Sequence, residues 1–117
     1  MRFDARDLKP YAEPVSSNEL RVSEAYYSVN YVDDDMQTPV METLVFIGRN
    51  LEKDEMDVLY FQDITSYQRG IRYASATADD VAVFHVVPAD QANHIFEFEK
   101  VLEQLMACSL RRRAAGL

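Results

Sequence analysis

Polar and apolar positions alternate from Leu20 to Val32. Ala25, Tyr27, Val29 and Tyr31 fall on one side of an extended chain, and Tyr26, Ser28 and Asn30 on the other. A period of two, with aromatic and β-branched residues, predicts a half-buried strand. Asp33-Asp34-Asp35 and Pro39 punctuate a turn, and Val40 to Arg49 forms a second strand. There Thr43, Val45 and Ile47 lie opposite Leu44 and Phe46. Both sides are apolar, which places this strand inside the sheet. Asn50 to Glu55 is a polar connection, and Met56 to Gln62 a third strand with Leu59 and Phe61 opposite Val58 and Tyr60. Connections this short favour antiparallel neighbours.

Punctuation changes after Gln62. Asp63 or Thr65 can cap a short helix by accepting from its free N–H groups, and Gly70 can end it in the left-handed conformation. Ile71 to Thr77 and Val81 to Val87 are expected to form a hairpin around Ala78-Asp79-Asp80, with Pro88-Ala89-Asp90 closing the sheet. The last element has helical spacing. Ile95, Phe98, Leu102, Leu105 and Ser109 recur every three or four residues, and Val101 and Cys108 widen the stripe. Asp4 to Lys9 can make a helical turn that Pro10 and Pro14 interrupt, and Ser16-Ser17-Asn18 signals a loop. Residues 1–19 are therefore expected to be irregular or briefly helical.

The expected fold is α+β. It is an antiparallel meander of about five strands, with a short helix after the third strand and a long C-terminal helix packed on one face. At 117 residues the chain is expected to form a single domain, residues 1–117. Its 48% hydrophobic content fits a folded chain. Cys108 is alone, so no internal disulfide can form. The first seven residues are too charged for a secretory leader. The apolar runs are far too short for a membrane span. A cytoplasmic location with no membrane partner is the resulting expectation.

Charge sharpens the picture. Twenty Asp and Glu stand against twelve Lys and Arg, a net charge of −8. Residues 28–68 carry nine acids and two bases, and residues 73–99 carry five acids and no base. Arg111, Arg112 and Arg113 follow the helix acids Glu97, Glu99 and Glu103. Both groups complement the helix dipole, each charge by ~0.3–1 kcal/mol. The arginines are expected to act there and to leave the acidic field undiminished. Such a field repels nucleic acid and attracts basic proteins.

Catalytic and metal patterns are weak. Asp33, Asp34 and Asp35 lack the alternate acids, central Gly and distal Glu of a calcium loop. His94 and Glu97 at i, i+3 offer one side of a metal site without further ligands. His85 shares its strand side with Val81, Val83 and Val87, which suits packing. Cys108 falls on the apolar stripe, where a thiol is inert. Gly48, Gly70 and Gly116 are isolated, so no phosphate loop exists, and Ser66 has no nucleophile-elbow context. No cofactor is expected.

What remains is acid interleaved with tyrosine, a side chain suited to anchoring an interface. Tyr31, Asp33, Asp34, Asp35, Glu52, Asp54, Glu55, Asp57 and Tyr67 are the expected partner-binding residues. The leading expectation is an inhibitor that covers a basic partner, such as a nuclease toxin. In size and charge the chain resembles small immunity proteins. The element order of three strands, short helix, two strands and helix is similar to that of class I type III secretion chaperones, which implies a homodimer. The Pro10-interrupted N-terminal segment departs from the helix of that pattern. A third expectation, a small enzyme using paired carboxylates or His85, requires a deep apolar cleft that raises one carboxyl pKa.

Overall fold

A computed structural model describes residues 12–117; the expected turn at Asp4 to Lys9 lies outside them. Seven regular elements follow a 3-10 turn at Ser17–Glu19. They are β1 (Ala25–Tyr31), β2 (Pro39–Arg49), β3 (Val58–Asp63), α1 (Ile64–Gln68), β4 (Phe84–Pro88), β5 (Ile95–Phe96) and α2 (Phe98–Ala114). All neighbouring strands are antiparallel, in the order β4-β3-β2-β1-β5. β1 to β4 form the meander, and β5 returns to the far edge beside β1.

Alternation builds the two faces. On one, Tyr26 stands opposite Leu44 and Phe46 opposite Phe61, and these join Leu59, Ile95, Val15, Leu20 and Ala92 in the larger core cluster. The Phe46 and Phe61 rings lie 5.4 Å apart. On the other face, Val29, Phe96 and Val101 pack together with Ala12, flanked by Tyr27 and Tyr31. α2 covers this second face at β1 and β5. Leu59, Phe61 and Ile95 are fully buried, and each such side chain contributes roughly 1.5–3 kcal/mol by leaving water.

The register shifts at a bulge between Phe46 and Gly48. Gly48 has φ +150°, and a Cβ there would sit 2.9 Å from Leu51 Cδ2. The bulge thus requires glycine for its backbone angle, whereas the exposed Leu51 side chain can move aside for a Cβ. Asp63 caps α1, its carboxylate accepting from the Ser66 N–H at 2.9 Å. Gly70, at φ +87°, follows the helix and donates its N–H to Tyr67 O, as its left-handed conformation allows.

Three details differ from the sequence expectation. First, residues 71–83 do not form a strand. They make a strap containing a 3-10 turn at Tyr73–Ser75, and β4 begins only at Phe84. Tyr73 explains this, because its ring packs edge-on against both Tyr60 (5.3 Å) and Phe84 (5.2 Å). Val81 and Val83, expected on the strand side of His85, are exposed within the strap. Second, the fifth strand is Ile95–Phe96, which periodicity had joined to the helix. Third, α2 buries Val101, Gln104, Ala107 and Cys108. The larger residues Phe98, Leu102, Met106 and Leu110 are exposed on a stripe four residues apart. The small or slender buried set lets the helix approach β1 closely, and the bulky stripe turns outward.

Among the described residues, no helix is long and apolar enough to cross a membrane.

Candidate functional site

The meander separates the expected binding residues. The β1–β2 turn carries Asp33, Asp34 and Asp35, and the β2–β3 turn carries Glu52, Asp54, Glu55 and Asp57. They lie at opposite ends of β2, whose 11 residues span about 35 Å at roughly 3.3 Å per residue.

At the first turn the Asp33 carboxylate is occupied by structure. Asp33 accepts from the N–H groups of Gln37 (3.0 Å) and Thr38 (2.8 Å). These bonds, Gln37 foremost, hold its carboxyl below the usual value. Arg111 donates from Nε to Met36 O (3.0 Å), and Arg112 from Nη1 to Gln37 O (2.9 Å). The α2 arginines therefore reach past their own helix end and rest on the acidic turn. Their acceptors are backbone carbonyls, and among the described residues no ion pair joins them to Asp33, Asp34 or Asp35. Tyr31 belongs to the same bracket. Its hydroxyl accepts from Gln104 Nε2 (2.9 Å) and Arg111 Nη2 (3.0 Å), and its ring lies under the Arg111 guanidinium. Asp34 and Asp35 remain exposed.

The second turn is built differently. Asn50, Asp54 and Asp57 all have positive φ (51°, 64° and 52°), a conformation that Asn and Asp tolerate best among non-glycine residues. Asn50 brackets the turn by donating its N–H to Val58 O (2.9 Å) while its Oδ1 accepts from Val58 N (3.0 Å). Glu55 accepts from the Tyr60 hydroxyl at 2.6 Å and from the Glu52 N–H at 2.9 Å. The Tyr73 hydroxyl donates to Glu52. Both phenols are held protonated, their pKa values raised first by the hydrogen bond to the carboxylate and then by burial. Asp54 and Asp57 are exposed.

Further acids gather at this same end. Asp90 follows β4, and Ala89 N–H donates to Asp57 O at 2.8 Å. Glu24 precedes β1, and its carbonyl accepts from Phe46 N–H at 3.0 Å. Glu97 stands just before α2. Glu19, Glu24 and Glu97 line one shallow hollow together with Arg21. Among the described residues, the bases nearest these acids include Arg21, Arg49, Lys53 and Arg72. Among the described residues, acids thus gather around the β2–β3 turn, while the α2 arginines Arg111 and Arg112 hold backbone carbonyls of the turn at the opposite end.

A cleft of about 1020 Å³ opens beside these acids, between the strap and the sheet. Ile47, Leu51, Ala82 and Phe84 supply apolar wall, and Glu52, Asp80, Arg72, Tyr67 and Tyr73 supply polar groups. The Arg72 guanidinium stacks 3.9 Å from the Tyr67 ring centre and donates to Tyr67 O and Ile71 O. Tyr67, an expected binding residue, donates its hydroxyl to Ser23 Oγ at 2.8 Å, closing one side. Asp63 accepts from Val83 N–H at 2.8 Å and thereby fastens the strap's far end to β3.

Gln62 also lines the cleft and was missed by sequence reasoning. It is fully buried, and its Nε2 donates to Ser66 Oγ (2.8 Å) and Ile71 O (2.9 Å). Its Oε1 finds no hydrogen-bond partner among the described residues. The available sequence signal was a lone amide at the end of the apolar run Val58 to Phe61.

Cys108 is buried with Sγ 3.5 Å from Met36 O. His85 Nε2 lies 3.5 Å from Glu42 Oε2 on β2 and is a buried atom with no hydrogen-bond partner among the described residues. Among the described residues no three His, Cys, Asp or Glu are placed to hold a metal ion. No protein-family model, curated protein or solved structure matches this chain.

Proposed function

We propose that this α+β domain is a protein-binding module whose acidic pole covers a basic partner, acting as an inhibitor or immunity-type protein toward an enzyme such as a nuclease toxin. One observation carries the reading. Acids from the β2–β3 turn, the β4 end and the segments preceding β1 and α2 converge at one end, while Arg111 and Arg112 bind the β1–β2 turn at the other. A field gathered at one end steers a basic partner into one orientation and raises its on-rate. The exposed Asp54 and Asp57 carboxylates can stand where a nuclease receives phosphates. The binding set is therefore narrower than the sequence expectation. Glu52, Asp54, Glu55 and Asp57 belong to it, while Tyr31 and Asp33 serve the opposite turn.

Calorimetric titration against a panel of basic nuclease domains tests this at low and high salt. Binding should weaken steeply with salt. The Asp54→Asn/Asp57→Asn double variant should lose affinity, and Asp34→Asn/Asp35→Asn should not. An affinity indifferent to salt, or equal losses from both pairs, would contradict it.

A homodimer is the second reading, favoured by the exposed stripe Phe98, Leu102, Met106 and Leu110 on α2. Two copies laid antiparallel along this stripe would bring Glu97 and Glu103 of each near Arg112 and Arg113 of the other. Light scattering should then give twice the chain mass for wild type and a folded monomer for Leu102→Asp. A wild-type monomer at high concentration would remove this reading.

A further inference from the structure

We infer that the open edge of β4 is a strand-addition site. Its occupant is an extended segment of the basic partner, apolar where it passes Val86 and basic where it passes Pro88. The choice of partner rests on the acidic-pole reading, whereas the geometry of the edge is independent of it.

Two hydrogen bonds fix which way the β4 backbone faces. Asp63 N–H donates to Val83 O at 3.1 Å before the strand, and Ala89 N–H donates to Asp57 O at 2.8 Å after it. Between these bonds Phe61 stands opposite His85 and Leu59 opposite Val87. In an antiparallel pair, positions that bond to the neighbour alternate with positions that turn their groups away. His85 and Val87 therefore bond to β3, and Phe84 and Val86 direct their N–H and C=O groups outward. β4 is the last strand on this side of the sheet, so no described strand receives those groups. Val86 is 53% exposed, which leaves this edge open to water.

The opposite edge is different. β5 is only Ile95–Phe96, and Ile95 O already accepts from Val15 N–H at 2.9 Å. Sheet edges are commonly guarded by lysine, yet residues 73–99 carry no Lys or Arg. Pro88 has no N–H and bounds the free ladder. Main-chain groups at Phe84 and Val86 can hold a short added strand, and the side chains beside them select which one.

Charge selects the occupant. The bond from Ala89 to Asp57 draws the end of β4 against the β2–β3 turn, where Asp57 and Asp90 are exposed. A second copy added antiparallel, with its Phe84 opposite Val86, would bring Asp79 and Asp80 of one chain toward Asp90 of the other. Like charges facing across a sheet are destabilising. A basic segment places opposite charge there instead, and an apolar residue opposite Val86 covers its exposed side chain.

Three peptides separate the contributions. The first is acetyl-Thr-Val-Thr-Val-Thr-Lys-Lys amide. The second ends in Glu-Glu, and the third is the lysine peptide N-methylated through Val-Thr-Val, which blocks both of its edges. Amide NMR titration of the full chain with the lysine peptide should give saturable shifts and slowed exchange at Phe84 and Val86. Smaller shifts should appear at Asp57 and Asp90, and none at Ile95 or Phe96. N-methylation should weaken binding by about tenfold or more, and the glutamate peptide should bind more weakly than the lysine peptide. Val86→Pro removes one outward N–H at a position that bonds no β3 group, and should abolish binding while the other amide resonances persist. Val86→Thr keeps the N–H and should retain affinity within about fivefold. Equal binding of the methylated and unmethylated peptides, or no saturable shift at Phe84 and Val86, would overturn the inference. Shifts of those two amides with protein concentration alone would overturn it in favour of a second copy. If the peptides fail while salt-dependent binding over residues 50–57 persists, the edge inference alone falls. Equal affinity for the lysine and glutamate peptides would remove the basic occupant and count against the acidic-pole reading.

Discussion

Asp63 joins three parts of the structure, and its removal should be felt in each. Its carboxylate caps α1 through the Ser66 N–H, accepts from Ser66 Oγ, and accepts from Val83 N–H across 20 residues. Asp63→Ala removes a helix cap, a loss of ~1 kcal/mol. It also leaves the Val83 N–H without its charged acceptor, a further ~1 kcal/mol at this partly exposed site. The combined loss of about 2 kcal/mol should lower the urea midpoint by roughly 1 M for a slope near 2 kcal/mol per M. Burial opposes ionisation of this carboxyl, but the hydrogen bonds from Ser66 and Val83 outweigh it and hold the pKa below the ordinary aspartate value. The folded state thus binds the proton more weakly than the unfolded state. The carboxylate's contribution is complete above the unfolded value and disappears as pH falls through the lower, folded one. Urea unfolding of wild type and Asp63→Ala at pH 7 and pH 3 checks this. The stability gap should be near 2 kcal/mol at neutral pH and narrow on acidification. Hydrogen exchange should quicken in residues 71–83 in the variant. A gap below ~0.5 kcal/mol at pH 7, or one that widens in acid, would refute the assignment of Asp63 as cap and strap fastener.

Two other perturbations have definite outcomes. Tyr31→Phe removes the oxygen that accepts from Gln104 and Arg111 but keeps the ring under the guanidinium. It should cost about 1–2 kcal/mol in urea unfolding and speed amide exchange in the last turns of α2. His94 has its pKa lowered from 6.5 by burial, so the unfolded state protonates first. Stability should be full above pH 6.5 and decline as pH falls through the lower folded value, and His94→Gln should flatten that part of the pH–stability curve.

The fold was legible where local chemistry and tertiary context agree. β1, β2 and β3 announce themselves by alternation, and Asp63 and Gly70 by the chemistry of helix ends. The strap was not legible, because Ile71, Tyr73, Val81 and Val83 imitate a strand pattern. The contact that decides the outcome is Tyr73 between Tyr60 and Phe84, which depends on residues distant in sequence. β5 was hidden for a similar reason. Two residues have no periodicity of their own, and Ile95 pairs with Ser28 from the other end of the chain. On α2 the widest apolar stripe was expected to face the sheet, whereas a narrow track of Val101, Gln104, Ala107 and Cys108 allows the closer approach.

The acid content of the candidate site was plain in the sequence, but its distribution was not. Composition cannot tell that two acidic turns stand at opposite ends of β2, or that Arg111 and Arg112 fold back onto one of them. Nor does a single glutamine in an apolar run reveal which of its two amide atoms is left without a partner.

The central claim is that positive charge is received at the pole around the β2–β3 turn. Amide NMR mapping with a decalysine peptide at low salt tests it most directly. Shifts concentrated over residues 50–57, with smaller ones at Asp90 and Glu97 and loss of all of them at high salt, are the predicted result. Shifts centred on Asp33 to Asp35, or spread evenly over the surface, would contradict the account.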